Sequence, residues 1–213
     1  MFEVFAGEYG ATCLLDIKRQ DSAWGKSVAM AFSKGEVRSG VNILQQYNRT
    51  INSDDKISSM KALLVDWNKS TQPLENKLII AVKNKAVAPL NHGVRQYLKT
   101  DGVLAGQEIA VGGNHYMQGD LILIKQANKE LGLINGDLAK LTHVSKEQFT
   151  LQDTRGQETS FDPTQYSGFR HGYATTVFKA QGLSILVPVV VVVASLQLQL
   201  QLQLAQESID LGL

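Results

Sequence analysis

The sequence predicts an α/β protein that carries a small β-rich insert, and two observations lead there. An apolar segment at residues 77–82 is followed at once by a helical pattern, with Val87, Leu90, Val94, Tyr97 and Leu98 on one stripe, and this β-then-α order suits an α/β domain. After Gly112 and Gly113 the hydrophobic period changes to two, and short strands follow at a spacing that suggests a small barrel.

The chain has 213 residues and 44% hydrophobic content, enough to bury the core of one or two domains. Its 21 Lys+Arg against 20 Asp+Glu give a formal charge of +1, so there is no global basic field and any nucleic-acid contact must be local. Cys13 is the single cysteine. That excludes an internal disulfide framework and a Cys-rich metal cluster, fits a reducing cytosol, and leaves Cys13 as a small packing group. The first residues, Met1 to Phe5, lack a basic region and an apolar stretch, so no secretory signal is expected and the predicted location is cytoplasmic.

Taken in order, residues 12–17 read as a short buried strand that delivers Lys18, Arg19 and Gln20 at its exit, before Asp21 and Ser22 can cap a helix. An arginine there either faces a phosphate or belongs to a solvated pair. Two helices follow up to Tyr47, with Trp24, Val28 and Phe32 on one and Val41, Leu44 and Tyr47 on the other, separated near Gly35. Beyond a polar loop at 48–55, Ile57, Met60, Leu63, Leu64 and Trp67 recur at helical spacing. Trp67 is either a base-stacking ring or core. In the helix after residues 77–82, Pro89 is tolerated only near the first turn. Asn91 and Arg95 share a face there, placed for nucleic-acid contact or for structural hydrogen bonding. Residues 121–124, 138–144 and 148–151 are the predicted strands of the insert, with turns at Asn135-Gly136 and Arg155-Gly156.

The most specific stretch is H-G-Y-A-T-T-V-F-K-A-Q-G at residues 171–182. It groups the hydroxyls of Thr175 and Thr176 with the Lys179 ammonium and the Gln181 amide, and closes on Gly182, where the backbone can come close to a ligand. Such a run reads as a phosphate-facing segment, or as a surface helix that stops at Gly182.

This run resembles motif V of superfamily 1B DNA helicases, the RecD-like motors, whose pattern is close to Y-A-x-T-x-H-K-x-Q-G. It is most similar to the variant found in conjugative relaxase-helicases of the TraA/MobA type. The resemblance implies a partial RecA-like second motor domain, of P-loop NTPase type, in which motif V touches the nucleic-acid backbone and couples it to the nucleotide site. By position, DNA contact falls on Thr175, Thr176 and Lys179, and the nucleotide side on Lys179, Gln181 and Gly182. Phe178 departs from the pattern, since the family has His there and an apolar ring replaces a hydrogen-bonding one.

Two further segments extend the resemblance. Leu14, Ile17, Arg19 and Gln20 fit L-x-x-I-x-R-Q of motif IV, in which the arginine acts as a finger on the terminal phosphate of ATP, so Arg19 is the implied catalytic residue and Arg19 and Gln20 the implied nucleotide contacts. Val87, Leu90, Asn91, Val94 and Arg95 fit V-x-x-L-N-x-x-V-R, which places Asn91 among the implied DNA contacts. Between these motifs, Gly119-Asp120, Asn128, and the stretch from Leu131 to Asp137 resemble the inserted SH3-like β-barrel, which leans on single-stranded DNA in that family and adds Asn128 and Asn135 to the contacts. The implied organisation is a first RecA-like part at 1–112, the barrel insert at 113–165, a return segment with motif V at 166–194, and a low-complexity tail at 195–213.

Past Gly182 the resemblance ends. Pro188 precedes five valines, which suit a buried strand and are too short for a membrane span. The following strict Leu-Gln alternation would make a two-faced strand or a helix. A coding frame altered just past Gly182 would explain the change, and translation of the encoding DNA in the other frames tests it.

The 213 residues contain no G-x-x-x-x-G-K-[ST] loop and no motif VI. The expectation is therefore a segment of an ATP-dependent 5′ to 3′ helicase-relaxase acting on single-stranded DNA in plasmid transfer, inactive as an ATPase by itself. ATP and Mg2+ would enter only in an assembled motor whose other half, carrying the phosphate-binding loop, comes from a separate chain. The alternatives are an inert remnant or a passive single-strand-binding module built on the barrel and motif V, for which the barrel region offers Tyr116, Phe149 and Phe161 with Lys125, Lys129, Lys140 and Lys146. His92, His115, His143 and His171 show no metal spacing, and there is no G-x-S-x-G elbow.

Overall fold

The computed structural model describes residues 22–51, 53, 55–180 and 191–193. The expected strand at 12–17 and the Leu-Gln tract lie outside them. The chain divides into two compact units, Met1–Asn52 and Ser53–Leu213.

In the first unit, α1 (Ala23–Ser33) and α2 (Val37–Gln46) form a helical hairpin. Ser22 caps α1 by accepting from the Gly25 amide at 3.2 Å. Gly35, at φ +77°, ends it: the Gly35 amide donates to Phe32 and the Glu36 amide to Ala31, the paired bonds of a glycine-terminated helix. The predicted break is therefore found with its physical cause.

The second unit begins with α3 (Lys56–Lys69), capped by Asp55, whose carboxylate accepts from the amides of Ile57 and Ser58. Trp67, 1% exposed, belongs to its buried stripe and is core, lying edge-on to Tyr173. Then come β1 (Ile79–Ala81) and α4 (Asn84–Thr100). Pro89 sits well inside α4, past the first turn expected for it. Lys85, whose carbonyl would otherwise accept from the residue at 89, is on the exposed side where water can serve, and the helix is held by burial of Val87, Leu90, Val94 and Leu98.

Strand β1 is the centre of a parallel sheet of order β10–β1–β9, with β9 (Ala174–Thr176) and β10 (Val191–Val193) on either side. The valine run thus supplies a strand, as its β-branched composition predicts. Helix α4 packs on β9 and β1, and the core here joins Leu63, Trp67, Ile79, Leu90, Val94, Tyr173 and Ala174.

Between α4 and β9 the chain is antiparallel. Strands β2 (Ala105–Val111) and β3 (Asn114–Gln118) form a hairpin turned by Gly112 and Gly113, both at positive φ. Strands β4 (Leu121–Ile124), β5 (Leu138–Val144), β6 (Phe149–Asp153), β7 (Glu158–Phe161) and β8 (Phe169–His171) form a sheet of order β7–β6–β5–β4–β8. These strands extend on both sides of residues 113–165, since β2 begins at Ala105 and β8 ends at His171. The expected closed barrel is not formed by the described strands. Strands β7 and β8 stand at opposite edges, and β2 and β3 pair with each other rather than bridging them. These strands instead share an aromatic core cluster in which Tyr116 meets Phe149, Phe169 and His171 at centroid distances of 6.1, 4.9 and 4.7 Å. Among the described residues no helix is long and apolar enough to cross a membrane.

Candidate nucleic-acid interface

The hydroxyl-rich run lies on β9 and on the short helix α5 (Val177–Ala180) that follows it directly. Register with β1 aligns Thr175 with Ile80 and Thr176 with Ala81, so both threonines stand at the carboxyl end of a parallel sheet, where α/β folds place their ligands. Thr175 is 0% exposed and Thr176 6%. The backbone of Tyr173 is already engaged by β1, its carbonyl accepting from the Ile79 amide at 2.9 Å.

Alternate backbone groups of a strand face opposite edges, so the amide and carbonyl of Ala174 point away from β1. Asn91 meets them. Its Oδ1 accepts from the Ala174 amide at 2.9 Å, and its Nδ2 donates to the Ala174 carbonyl at 3.3 Å and to the Val87 carbonyl at 3.0 Å. One side-chain amide therefore does the work of a neighbouring strand. Buried at 5% exposure with both N–H groups used inside the fold, Asn91 positions β9.

One helical turn further along α4, Arg95 leads into a buried polar network. Its Nε and Nη2 grip the two oxygens of Asp120, each at 2.9 Å, and Nη2 also reaches Glu108 at 3.0 Å, which Lys99 holds at 2.7 Å. Asp120, 0% exposed, further accepts from the Tyr173 hydroxyl at 2.7 Å and from the Met117 amide at 2.8 Å. Burial, and then the Asp120 charge, push the Tyr173 phenol well above its ordinary pKa, so it stays protonated and donates. His171 stacks on Tyr173 and its Nε2 lies 3.1 Å from the His115 carbonyl; burial lowers its pKa. The network ties the helix before the antiparallel sheet, the sheet itself, and the residue that enters β9.

The remaining predicted residues divide. Asn128 holds a turn, its Oδ1 accepting from the Leu131 amide, and Asn135 is exposed in a turn closed from Asp137 to Ile134, with Gly136 at φ +96°. Both sit on the β4–β5 connection, and no hydrogen bond joins them to Thr175 or Thr176. Arg19, Gln20, Gln181 and Gly182 lie outside the described residues, as does the side chain of Lys179. The rings offered for base stacking are a correction: Tyr116, Phe149 and Phe161 are 1%, 0% and 6% exposed and fill the core, because each falls on the inward side of its strand. Lys125, Lys129, Lys140 and Lys146 are exposed.

Sequence reasoning missed Arg170. It donates from Nη2 to the Thr175 hydroxyl at 2.8 Å, and its cation stands next to the motif it was never part of.

Comparison with known proteins adds to this geometry. No protein-family model matches the sequence. The chain is 27% identical over 190 residues to a probable conjugal transfer protein TraA of Sinorhizobium fredii, covering 86% of this chain and 17% of the relative. It is 26% identical over 191 residues to the conjugal transfer protein TraA of Agrobacterium fabrum, with the same coverage of 86% and 17%. Among solved structures, Bacteroides Pif1 bound to single-stranded DNA superposes with a TM-score of 0.50 at 14% identity, covering 90% of this chain and 51% of that one. The chain is thus homologous to a stretch of TraA conjugal transfer proteins, about a sixth of their length, and its mixed α/β fold resembles the matching part of Bacteroides Pif1.

Proposed function

We propose that this chain is a second-motor-domain segment of a TraA-type helicase-relaxase, acting on single-stranded DNA within an ATP-driven 5′ to 3′ motor during plasmid transfer. The observation that carries the reading is the placement of Thr175 and Thr176 on β9, aligned with β1 at the carboxyl edge of the parallel sheet and held there by Asn91. On this reading Lys179 meets the DNA backbone, and Thr175 and Thr176, which are buried, position the segment that carries it, with Asn91 supporting them. The open five-stranded sheet with its hairpin takes the place of the SH3-like insert, and Asn128, Asn135 and the exposed lysines lean on the strand. With the aromatic rings buried, affinity is chiefly electrostatic.

The residues present do not fit a nucleotide by themselves. The sequence holds no glycine-rich phosphate loop, and near β9 the Asn91 amide and the Tyr173 hydroxyl are engaged inside the fold. ATP and Mg2+ therefore belong to the assembled motor, in which another chain or segment supplies that loop and Arg19, Gln20, Lys179, Gln181 and Gly182 face it. The motor works in the cytoplasm.

Fluorescence anisotropy with a labelled single-stranded oligonucleotide, at low and moderate salt, tests the reading. Binding that weakens with salt is expected, and its absence at both salts would leave an inert remnant. Phosphate release by the purified chain, with ATP and Mg2+ present, is expected to stay at background; turnover would overturn the division of the motor proposed above.

A further inference from the structure

Two arginines of the second unit are drawn into its interior, and they are treated differently. Arg95 is matched by two carboxylates, Asp120 and Glu108. Arg170 has none: among the described residues it forms no ion pair, its Nε is buried without any hydrogen-bond partner, and its one bond runs from Nη2 to Thr175. An arginine side chain does not shed its proton to escape such a place, so the cost of partial burial is retained until an anion arrives. Burial lowers its pKa, in keeping with that cost.

The position follows from the strand. Phe169 and His171 point into the aromatic core, so the alternation of β8 sends Arg170 to the opposite side. Strand β8 is an edge of the antiparallel sheet and β9 an edge of the parallel one, and the Arg170–Thr175 bond spans the two. Thr175 fixes one arm of the guanidinium. The residue as a whole is part-exposed, so an anion can approach its side chain.

We propose that Arg170 is a phosphate-binding residue, whose outer guanidinium edge takes an oxygen of a DNA phosphodiester while Nη2 remains on Thr175. The proposal rests on the single-strand reading above for the source of the phosphate, though not for the anion site itself. Nothing in the helicase-like pattern assigns a residue at this position.

The test follows the Nε–H resonance of Arg170 in 15N-labelled protein, assigned by its loss in Arg170→Gln. The chain is titrated separately with inorganic phosphate, ATP and a single-stranded dodecamer, and anisotropy of the same oligonucleotide is measured for wild type, Arg170→Gln and Arg170→Lys. The expected result is a shift of the Arg170 signal at lower concentrations of DNA than of phosphate or ATP. Arg170→Gln should bind more weakly, with a salt slope shallower by about 0.7, the loss of one phosphate contact on a single strand, and Arg170→Lys should restore part of it. Loss of the signal in Arg170→Lys gives the same assignment, so the wild-type readout stands even if Arg170→Gln fails to fold. DNA binding with an unmoved Arg170 signal and an unchanged Arg170→Gln affinity would overturn this inference and leave the proposed function intact. A signal that moves with phosphate in a chain that binds no DNA would overturn both the phosphodiester assignment and the single-strand reading, leaving only an anion site. A signal unmoved by all three ligands would remove the site altogether.

Discussion

Asp120 is where single residues matter most for this fold, since four donors converge on it: Arg95 Nε and Nη2, the Tyr173 hydroxyl and the Met117 amide. Replacing it with alanine leaves a buried guanidinium without its main counter-charge. Asp120→Ala is therefore expected to lower stability by about 3–5 kcal/mol, the range for breaking one side of a buried pair, read from the urea midpoint and slope. A loss under about 1 kcal/mol would show that Glu108 and water suffice. His171 makes a second prediction, in pH. Burial, opposed by the Asp120 charge and aided by Arg95, holds its folded pKa below the ordinary 6.5. As the pH falls past that ordinary value the unfolded chain takes up its proton first, so stability present at neutral pH is lost on acidification. The urea midpoint should drop from about pH 7.5 to about pH 5.5, and His171→Gln should flatten that dependence; an unaltered slope in the variant would assign it elsewhere. Asp120 was visible as half of a Gly-Asp pattern. Its role was not, because Arg95 and Tyr173 lie 25 and 53 residues away and no local spacing announces them.

At the scale of elements, β9 is a three-residue strand with a backbone partner on one side and an amide side chain on the other. Asn91→Leu keeps similar bulk and removes that amide, leaving the N–H and C=O of Ala174 buried and unpaired at about 1–3 kcal/mol each. The expected result is selective loss of hydrogen-exchange protection at the Ala174 amide, with protection in β5 and β6 retained. Uniform loss would mean that Asn91 supports the whole unit, and unchanged protection that β9 needs no such brace. The same element shows what a sequence can disclose. The helices were legible because their apolar residues recur at a clean period over many positions, β1 because it lies in the continuous apolar run from Leu78 to Val82, and Gly35 marked a true helix end. Strands β8 and β9 were hidden, since three residues carry no period. Strand β2 was missed for another reason: most of its residues are exposed, so no alternation shows, and Gly112 and Gly113 looked like a boundary when they are a hairpin turn. The open order of the antiparallel sheet was beyond reach, because strand composition does not say which edges meet.

For the molecule as a whole, a formal charge of +1 rules out a broad positive field, and the buried rings of the antiparallel sheet rule out a run of stacked bases on them. On the proposed reading, single-strand binding rests on a few phosphates met by separate cations, such as Arg170 and the exposed lysines on or near β5. Each phosphate neutralised on a single strand contributes about −0.7 to the slope of log affinity against log salt concentration. Two to four such contacts predict a slope of about −1.4 to −2.8, whereas a continuous basic groove holding eight or more would exceed about −5. Anisotropy titrations across four or more salt concentrations measure this directly. A slope steeper than about −5 would require more cations than Arg170 and those lysines supply, and would move the interface away from β9.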